Sequence, residues 1–244
     1  MATIESFNRS ELKKSNPLLT KFRTTVETAF YGKNMQEVTD MAEAYELALN
    51  AAGVVVTDLP VLHAKELGLP ADPDWEHVAQ NIPILKFPDG TTKENATYDG
   101  AIIKQADVNL LSFPLDIVKD EASIRKDLTY YEPRMAPDGP AMGGSVLAAL
   151  YGRLGDAEKA YQMFKKSYQP NQVPPFGVLA ETAGGNNPYF ATGAGGMLQA
   201  ILAGLGGLDI NDQGIVQLKT KLPKAWKSLT LKGVGVEKKT FVVK

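Results

Sequence analysis

A mainly α-helical fold of the α/α-toroid kind, followed by a short β segment, is what this sequence predicts. Three observations carry that reading. Apolar residues recur at helical spacing through most of residues 1–205. The helices come in unequal pairs joined by Pro- and Gly-rich loops, without a repeat of fixed period, which suits a closed toroid better than a regular solenoid. From Gly207 onward apolar and polar residues alternate between Gly and Pro turns, which is strand patterning. The predicted division is residues 1–205, a helical catalytic-type domain, and residues 206–244, a C-terminal β domain.

The elements follow in order. Residues 35–52 place Val38, Met41, Ala42, Tyr45 and Leu49 at helical spacing, with Gly53 as a stop. VLHAKELGLP ends a second helix at Gly68 and Pro70. DPDWEHVAQNIP has Asp72 as a cap, Pro73 in its first turn and Pro83 beyond its end. IPILKFPDGTTKE reads as extended chain with a turn at Asp89-Gly90. DGAIIKQADVNLLSFPL reads as a buried helix with Ile103, Ala106 and Leu110 on one face. DEASIRKDLTYYEPR is another helix, ending near Pro133. GGSVLAALYGRLGDAEKAYQMFKKSY is an αα-hairpin whose second helix is capped by Asp156. GAGGMLQAILAGL is a last, apolar helix.

Composition narrows the function classes. The chain is 44% hydrophobic and 22% charged, enough apolar residue to bury a core and typical of a soluble globular protein. A formal net charge of -2 gives no electrostatic attraction to nucleic acid or to an anionic membrane. The absence of cysteine excludes disulfides and thiolate metal sites. With His63 and His77 as the only histidines, a His-rich metal site is not expected. No cofactor motif stands out: GAGG lacks a preceding strand and a third glycine for dinucleotide binding. The N-terminal MATIESFNRSELKK has no apolar core of a signal peptide, and GAGGMLQAILAGLGGL is too short and Gly-rich to span a membrane. The chain reads as soluble and leaderless.

Three stretches could carry chemistry. From Ser167 to Leu208 the only Asp, Glu, Lys or Arg is Glu181, where the chain's 22% average would give about nine. A carboxylate in an apolar, glycine-rich loop loses hydration, and that environment suits general acid/base work. Helix capping or pairing with an arginine explains it equally well. Lys104-Gln105 could grip vicinal sugar hydroxyls. Read from the residues alone, a solvated face with Lys104 pairing Asp107 one turn away is the plainer account. YYEPRMAPDGPAMGGS sets two tyrosines, Glu132 and Arg134 before a Pro/Gly loop, residue types that carbohydrate sites use. A packed Tyr130 with Glu132 and Arg134 in solvent is the alternative. Trp75 and Trp226 read as packing residues, and Asp74 and Glu76 as first-turn charges favouring the helix dipole.

Taken in order, IIKQADVNLL, YYEPR with GPAMGGS, ETAGGNNPYFATGAGGMLQAIL and LPKAWKSLTLKGV resemble the C-terminal part of glycoside hydrolase family 65. They are most similar to its acid trehalase and glucosylgalactosyl-hydroxylysine glucosidase branch, over roughly residues 60–244. The resemblance implies the C-terminal part of a catalytic (α/α)6 barrel, a six-hairpin toroid, with a small β segment after it. The implied reaction is inverting hydrolysis of an α-linked glucose of kojibiose, trehalose or glucosyl-galactose type, with no cofactor and no metal. It also implies roles for four residues: Lys104 and Gln105 hold the non-reducing glucose, Glu132 contacts the sugar on the leaving side, and Glu181 stands at the general base. The loop APDGPAMGGS lacks the histidine and paired serines that bind phosphate in the family's phosphorylases.

The family's general acid lies on an earlier loop, and no Gly-Pro-Asp-Glu-Tyr type motif occurs in residues 1–60. The chain is therefore expected to be a fragment, a truncated product or one piece of a split protein, inactive by itself. Its expected partner is a carbohydrate, an α-glucoside. Exposed apolar helix faces favour self-association or pairing with the missing N-terminal part. A non-catalytic remnant that binds sugar or supports assembly is the competing class, and a relative of the disaccharide phosphorylases is a further alternative.

Overall fold

The computed structural model of the chain describes residues 64–244, apart from 66, 71, 72, 82, 188, 189 and 212. The expectations for residues 35–52 and for the Asp72 cap lie outside the described residues.

Helix α1, Pro73–Asn81, begins on a proline, whose fixed φ and missing N–H suit a first turn. The predicted Asp89-Gly90 turn follows. Lys86 bridges Thr92 antiparallel, the Phe87 N–H donates to the Thr91 carbonyl at 2.8 Å, and Gly90 takes φ +88°.

The helix expected over DGAIIKQADVNLLSFPL is reduced to one turn, α2, Asp107–Leu110. Ile103 is instead extended and pairs with Met135 as a parallel bridge. Its N–H donates to the Arg134 carbonyl at 2.9 Å, and its carbonyl accepts from Ala136 N–H at 2.8 Å. Two physical causes act together. Adjacent β-branched Ile102 and Ile103 fit extended chain better than helix, and Pro114 biases Phe113 away from helical backbone. Ile103 and Ala106 are buried as expected and Leu110 is half-buried, but Ile103 lies in an extended bridge and Ala106 just before α2, so the three do not share one helical face.

Helix α3, Glu121–Tyr131, starts where the Asp120 carboxylate accepts from the Ser123 N–H at 2.8 Å, and gives way to a 3-10 turn, Glu132–Arg134, containing Pro133. The αα-hairpin is as predicted: α4, Ala141–Arg153, and α5, Ala157–Lys166, with the Asp156 carboxylate accepting from Lys159 N–H at 3.3 Å. The last apolar helix, α6, Ala191–Gln199, widens into a π turn over Ala200–Leu205. Leu147, Leu150, Met163 and Ala200 from these helices form one buried cluster with Leu128. Tyr98, Ile103, Val108, Leu111, Val118 and Tyr131 form a second.

Among the described residues there are three two-stranded antiparallel sheets. The first, β1 (Gln172–Val173) with β2 (Val178–Leu179), interrupts the helical region and was not anticipated. The others lie in the segment predicted as strand: β3 (Leu208–Asn211) with β4 (Gly214–Gln217), and β5 (Leu229–Val234) with β6 (Lys239–Val243). Between them Trp226 packs its ring edge-on against Tyr161 of α5, centroids 5.4 Å apart, in the packing role read for it.

Candidate functional site

The N-terminal end of α4 organises two of the three stretches singled out in the sequence. The chain from Met135 to Pro140 turns tightly before α4, with Gly139 N–H donating to the Ala136 carbonyl at 3.1 Å. The Lys104 main chain lies against this turn. A β-carbon on Gly139 would approach the Lys104 carbonyl oxygen to 3.0 Å. Lys104 is exposed and Gln105 half-buried. Residues 101–106 are not helical, so the one-turn spacing that would pair Lys104 with Asp107 does not arise.

The loop that carries Glu181 leads into a helix packed on the same end of α4. Glu181 is half-buried in the loop after β2. The Phe190 N–H ties the end of that loop back to the Leu179 carbonyl at 2.9 Å. Helix α6 then packs on α4: a β-carbon on Gly193 would lie 3.3 Å from the Ala141 Cβ, and one on Gly196 would lie 2.4 Å from Ser145 Oγ. Within the loop Gly184 takes φ +68°, a backbone state that disfavours side-chain-bearing residues. The Glu181 N–H faces Asn187 Oδ1 at 3.4 Å, and its carbonyl accepts from Asn171 Nδ2 at 3.0 Å.

Glu132 is held differently. Its carboxylate accepts from the Tyr151 hydroxyl at 2.6 Å and pairs with Lys159 Nζ at 2.6 Å. Tyr151 lies near the C-terminal end of α4, about 15 Å of helix rise from Ala141. So the Glu132 main chain sits beside the Ile103–Met135 pairing while its carboxylate turns toward the hairpin. Arg134, for its part, stacks over the Tyr130 ring at 3.8 Å and donates to the Tyr130 and Gly100 carbonyls at 2.6 Å and 3.2 Å. Neither charge is simply solvated.

Sequence reasoning missed two polar residues next to these stretches. Glu94 is 5% exposed, and its Oε2 has no hydrogen-bond partner. Burial, and then the nearby Asp107, push its carboxyl up to about 7. Asp107 is itself raised by burial. Asn171, 2% exposed, carries the Glu181 loop on its side chain. Neither sits in a periodic pattern, and the only sequence signal was the density of Asn, Thr and Pro around them. Among the described residues no three His, Cys, Asp or Glu side chains form a metal-binding group, and no helix is long and apolar enough to cross a membrane.

Residues 72–171 match the model of the glycosyl hydrolase family 65 central catalytic domain. The chain carries part of a glycoside hydrolase family 65 catalytic domain. Its relatives agree. It is 58% identical over 196 residues to a kojibiose hydrolase of Mucilaginibacter mallensis, covering 80% of this chain and 29% of that protein. It is 45% identical over 215 residues to a kojibiose hydrolase of Flavobacterium johnsoniae, covering 86% and 32%. It is 36% identical over 171 residues to a protein-glucosylgalactosylhydroxylysine glucosidase of Dictyostelium discoideum, covering 69% and 24%. The chain thus spans about a third or less of the relatives it matches. The family 65 domain implies an (α/α)6 barrel, and helices are the principal elements here, with a few small sheets. The matched segment contains Lys104, Gln105 and Glu132 and ends at Asn171. Glu181 lies beyond it, on the loop that Asn171 holds.

Proposed function

We propose that this chain is the C-terminal part of an inverting α-glucoside hydrolase, with residues 1–205 contributing to the catalytic barrel and residues 206–244 forming a C-terminal β domain. Glu181 acts as general base, Lys104 and Gln105 hold the non-reducing glucose, and Glu132 contributes on the leaving side while it remains tied to Tyr151 and Lys159. One observation supports the reading: the Lys104 main chain and the helix that follows the Glu181 loop, far apart in sequence, both pack at the N-terminal end of α4. The names of the relatives favour a kojibiose-type linkage, with trehalose or glucosyl-galactose linkages as neighbouring choices.

In this scheme Glu181 takes a proton from water as the oxygen attacks the anomeric carbon from the face opposite the leaving group. A second carboxyl, roughly 6.5–9.5 Å away, protonates the leaving oxygen. That acid belongs to the part of the family fold upstream of the matched motifs. Phosphate-dependent cleavage would not need Glu181, since phosphate is itself the nucleophile, and the APDGPAMGGS loop lacks the phosphorylase residues. The competing reading, a non-catalytic remnant, draws on the lack of a Gly-Pro-Asp-Glu-Tyr type motif in residues 1–60.

A substrate that needs no acid separates the two readings. Fluoride leaves without a proton, so α-glucosyl fluoride tests the base alone. The chain should release β-glucose from it while cleaving kojibiose little or not at all. Glu181→Gln should lose water attack by roughly 10²-fold or more. Azide, which needs no deprotonation, should still give β-glucosyl azide. No β-glucose from the unaltered chain, or an undiminished rate in Glu181→Gln, would reject the proposal.

A further inference from the structure

We infer that Asn171 is the positioning residue for Glu181, fixing the angle from which that carboxylate meets the attacking water. The inference rests on the reading of Glu181 as base. Asn171 is 2% exposed and closes the 3-10 turn Gln169–Asn171 just before β1. Its side-chain nitrogen donates to two consecutive carbonyls, Ala180 at 3.2 Å and Glu181 at 3.0 Å. Both neighbours are acceptors only, so the amide nitrogen, not its oxygen, has to face them. The Asn171 carbonyl in turn accepts from the Ala180 N–H at 2.8 Å. One residue further back, the Pro170 carbonyl accepts from Gly184 N–H at 3.0 Å. The loop bearing Glu181 is therefore latched on both sides of the carboxylate to one short turn.

The geometry explains why the latch is a side chain. The β1–β2 pairing ends at Gln172–Leu179, and one further main-chain bond, from the Ala180 N–H to the Asn171 carbonyl, follows it. Past that pair the Glu181 main chain leaves the sheet, and its carbonyl has no strand partner. A buried amide with two hydrogens can bridge adjacent carbonyls, where serine or alanine cannot. The function of such a bridge is angular. A general base has to meet its water at hydrogen-bond distance, and displacement by about 1 Å costs on the order of 10²-fold in rate.

The test uses the whole chain, α-glucosyl fluoride and a fixed azide concentration. The measured quantity is the ratio of β-glucose to β-glucosyl azide, after subtraction of spontaneous hydrolysis. Water attack needs the base and azide attack does not, so the ratio reports base placement, and the folded fraction cancels from it. Asn171→Ala, which cannot donate, and the isosteric Asn171→Asp, which even when protonated can donate to only one carbonyl, should each lower the ratio about tenfold or more. A merely structural role would lower both products together and leave the ratio within about threefold of the unaltered chain, which overturns the inference. Glu181→Gln in the same assay keeps the two failures apart. A low ratio there with a normal ratio in both Asn171 variants rejects the role of Asn171 alone. A normal ratio in Glu181→Gln rejects the base reading, and the role of Asn171 with it.

Discussion

Gly152 of α4 lies against Gly204 in the π turn so closely that a β-carbon on Gly152 would fall 2.5 Å from the Gly204 carbonyl carbon. The neighbouring atoms are backbone, which cannot rotate out of the way. Elsewhere in a helix Gly→Ala would gain up to about 1 kcal/mol in propensity. Here overpacking outweighs that gain. Gly152→Ala should be destabilised by about 1–3 kcal/mol, read from the denaturation midpoint. A stabilised variant would mean that the two backbones are not in contact.

Glu94 should make stability fall as the solution becomes more alkaline. Its folded-state carboxyl is raised from 4.5 to about 7, so the folded chain keeps a proton that the unfolded chain has lost. Stability associated with this group is full below about pH 4.5 and is lost progressively up to about pH 7. Above that the curve should level off. Asp107, raised by burial, contributes in the same sense. Glu94→Gln removes the titrating group and should flatten the profile between pH 5 and 7, measured as unfolding free energy against pH. A profile as steep as that of the unaltered chain would place the proton elsewhere.

Tyr151 is half-buried and its hydroxyl is bonded to Glu132, and burial, followed by that bond and its negative charge, raises its pKa so that it stays a donor. Tyr151→Phe leaves the half-buried carboxylate with Lys159 alone. The expected loss is about 1.5–3 kcal/mol, the usual value of a hydrogen bond to a charged group. An unchanged unfolding curve would show that water replaces the hydroxyl without cost.

Asp156→Ala should cost about 1 kcal/mol, because the Lys159 N–H at the start of α5 loses its side-chain acceptor. Asp156→Asn, which keeps an acceptor oxygen, should recover most of the loss. Equal losses in the two variants would point to charge rather than capping.

Lys104→Ala tests the proposed grip on the non-reducing glucose. Removing a charged donor from a sugar hydroxyl should raise KM for α-glucosyl fluoride by about tenfold or more, since about 1.4 kcal/mol is tenfold in affinity. The ratio of water to azide products should not move. An unchanged KM would return Lys104 to the solvated face that its sequence also allowed.

By itself the sequence determined what local chemistry can dictate. The αα-hairpin with its Asp156 cap, the Asp89-Gly90 turn and the strand character of the C-terminal segment follow from capping, positive-φ glycine and alternation, which act over a few residues. Membership in family 65 was also legible, from ordered motifs. Tertiary structure decided the rest. The i, i+3 spacing of Ile103 and Ala106 marks burial, but the strand partner that Ile103 pairs with, the Met135 backbone, is distant in the chain. Glu132 reads as a free carboxylate until α4 and α5 supply Tyr151 and Lys159. Glu94 looks like any surface glutamate until the packing around it removes water and brings Asp107 near. In each case the deciding partner is remote in the chain. A hydrogen bond or a desolvation depends on where atoms meet, and local patterning fixes only which face an element offers.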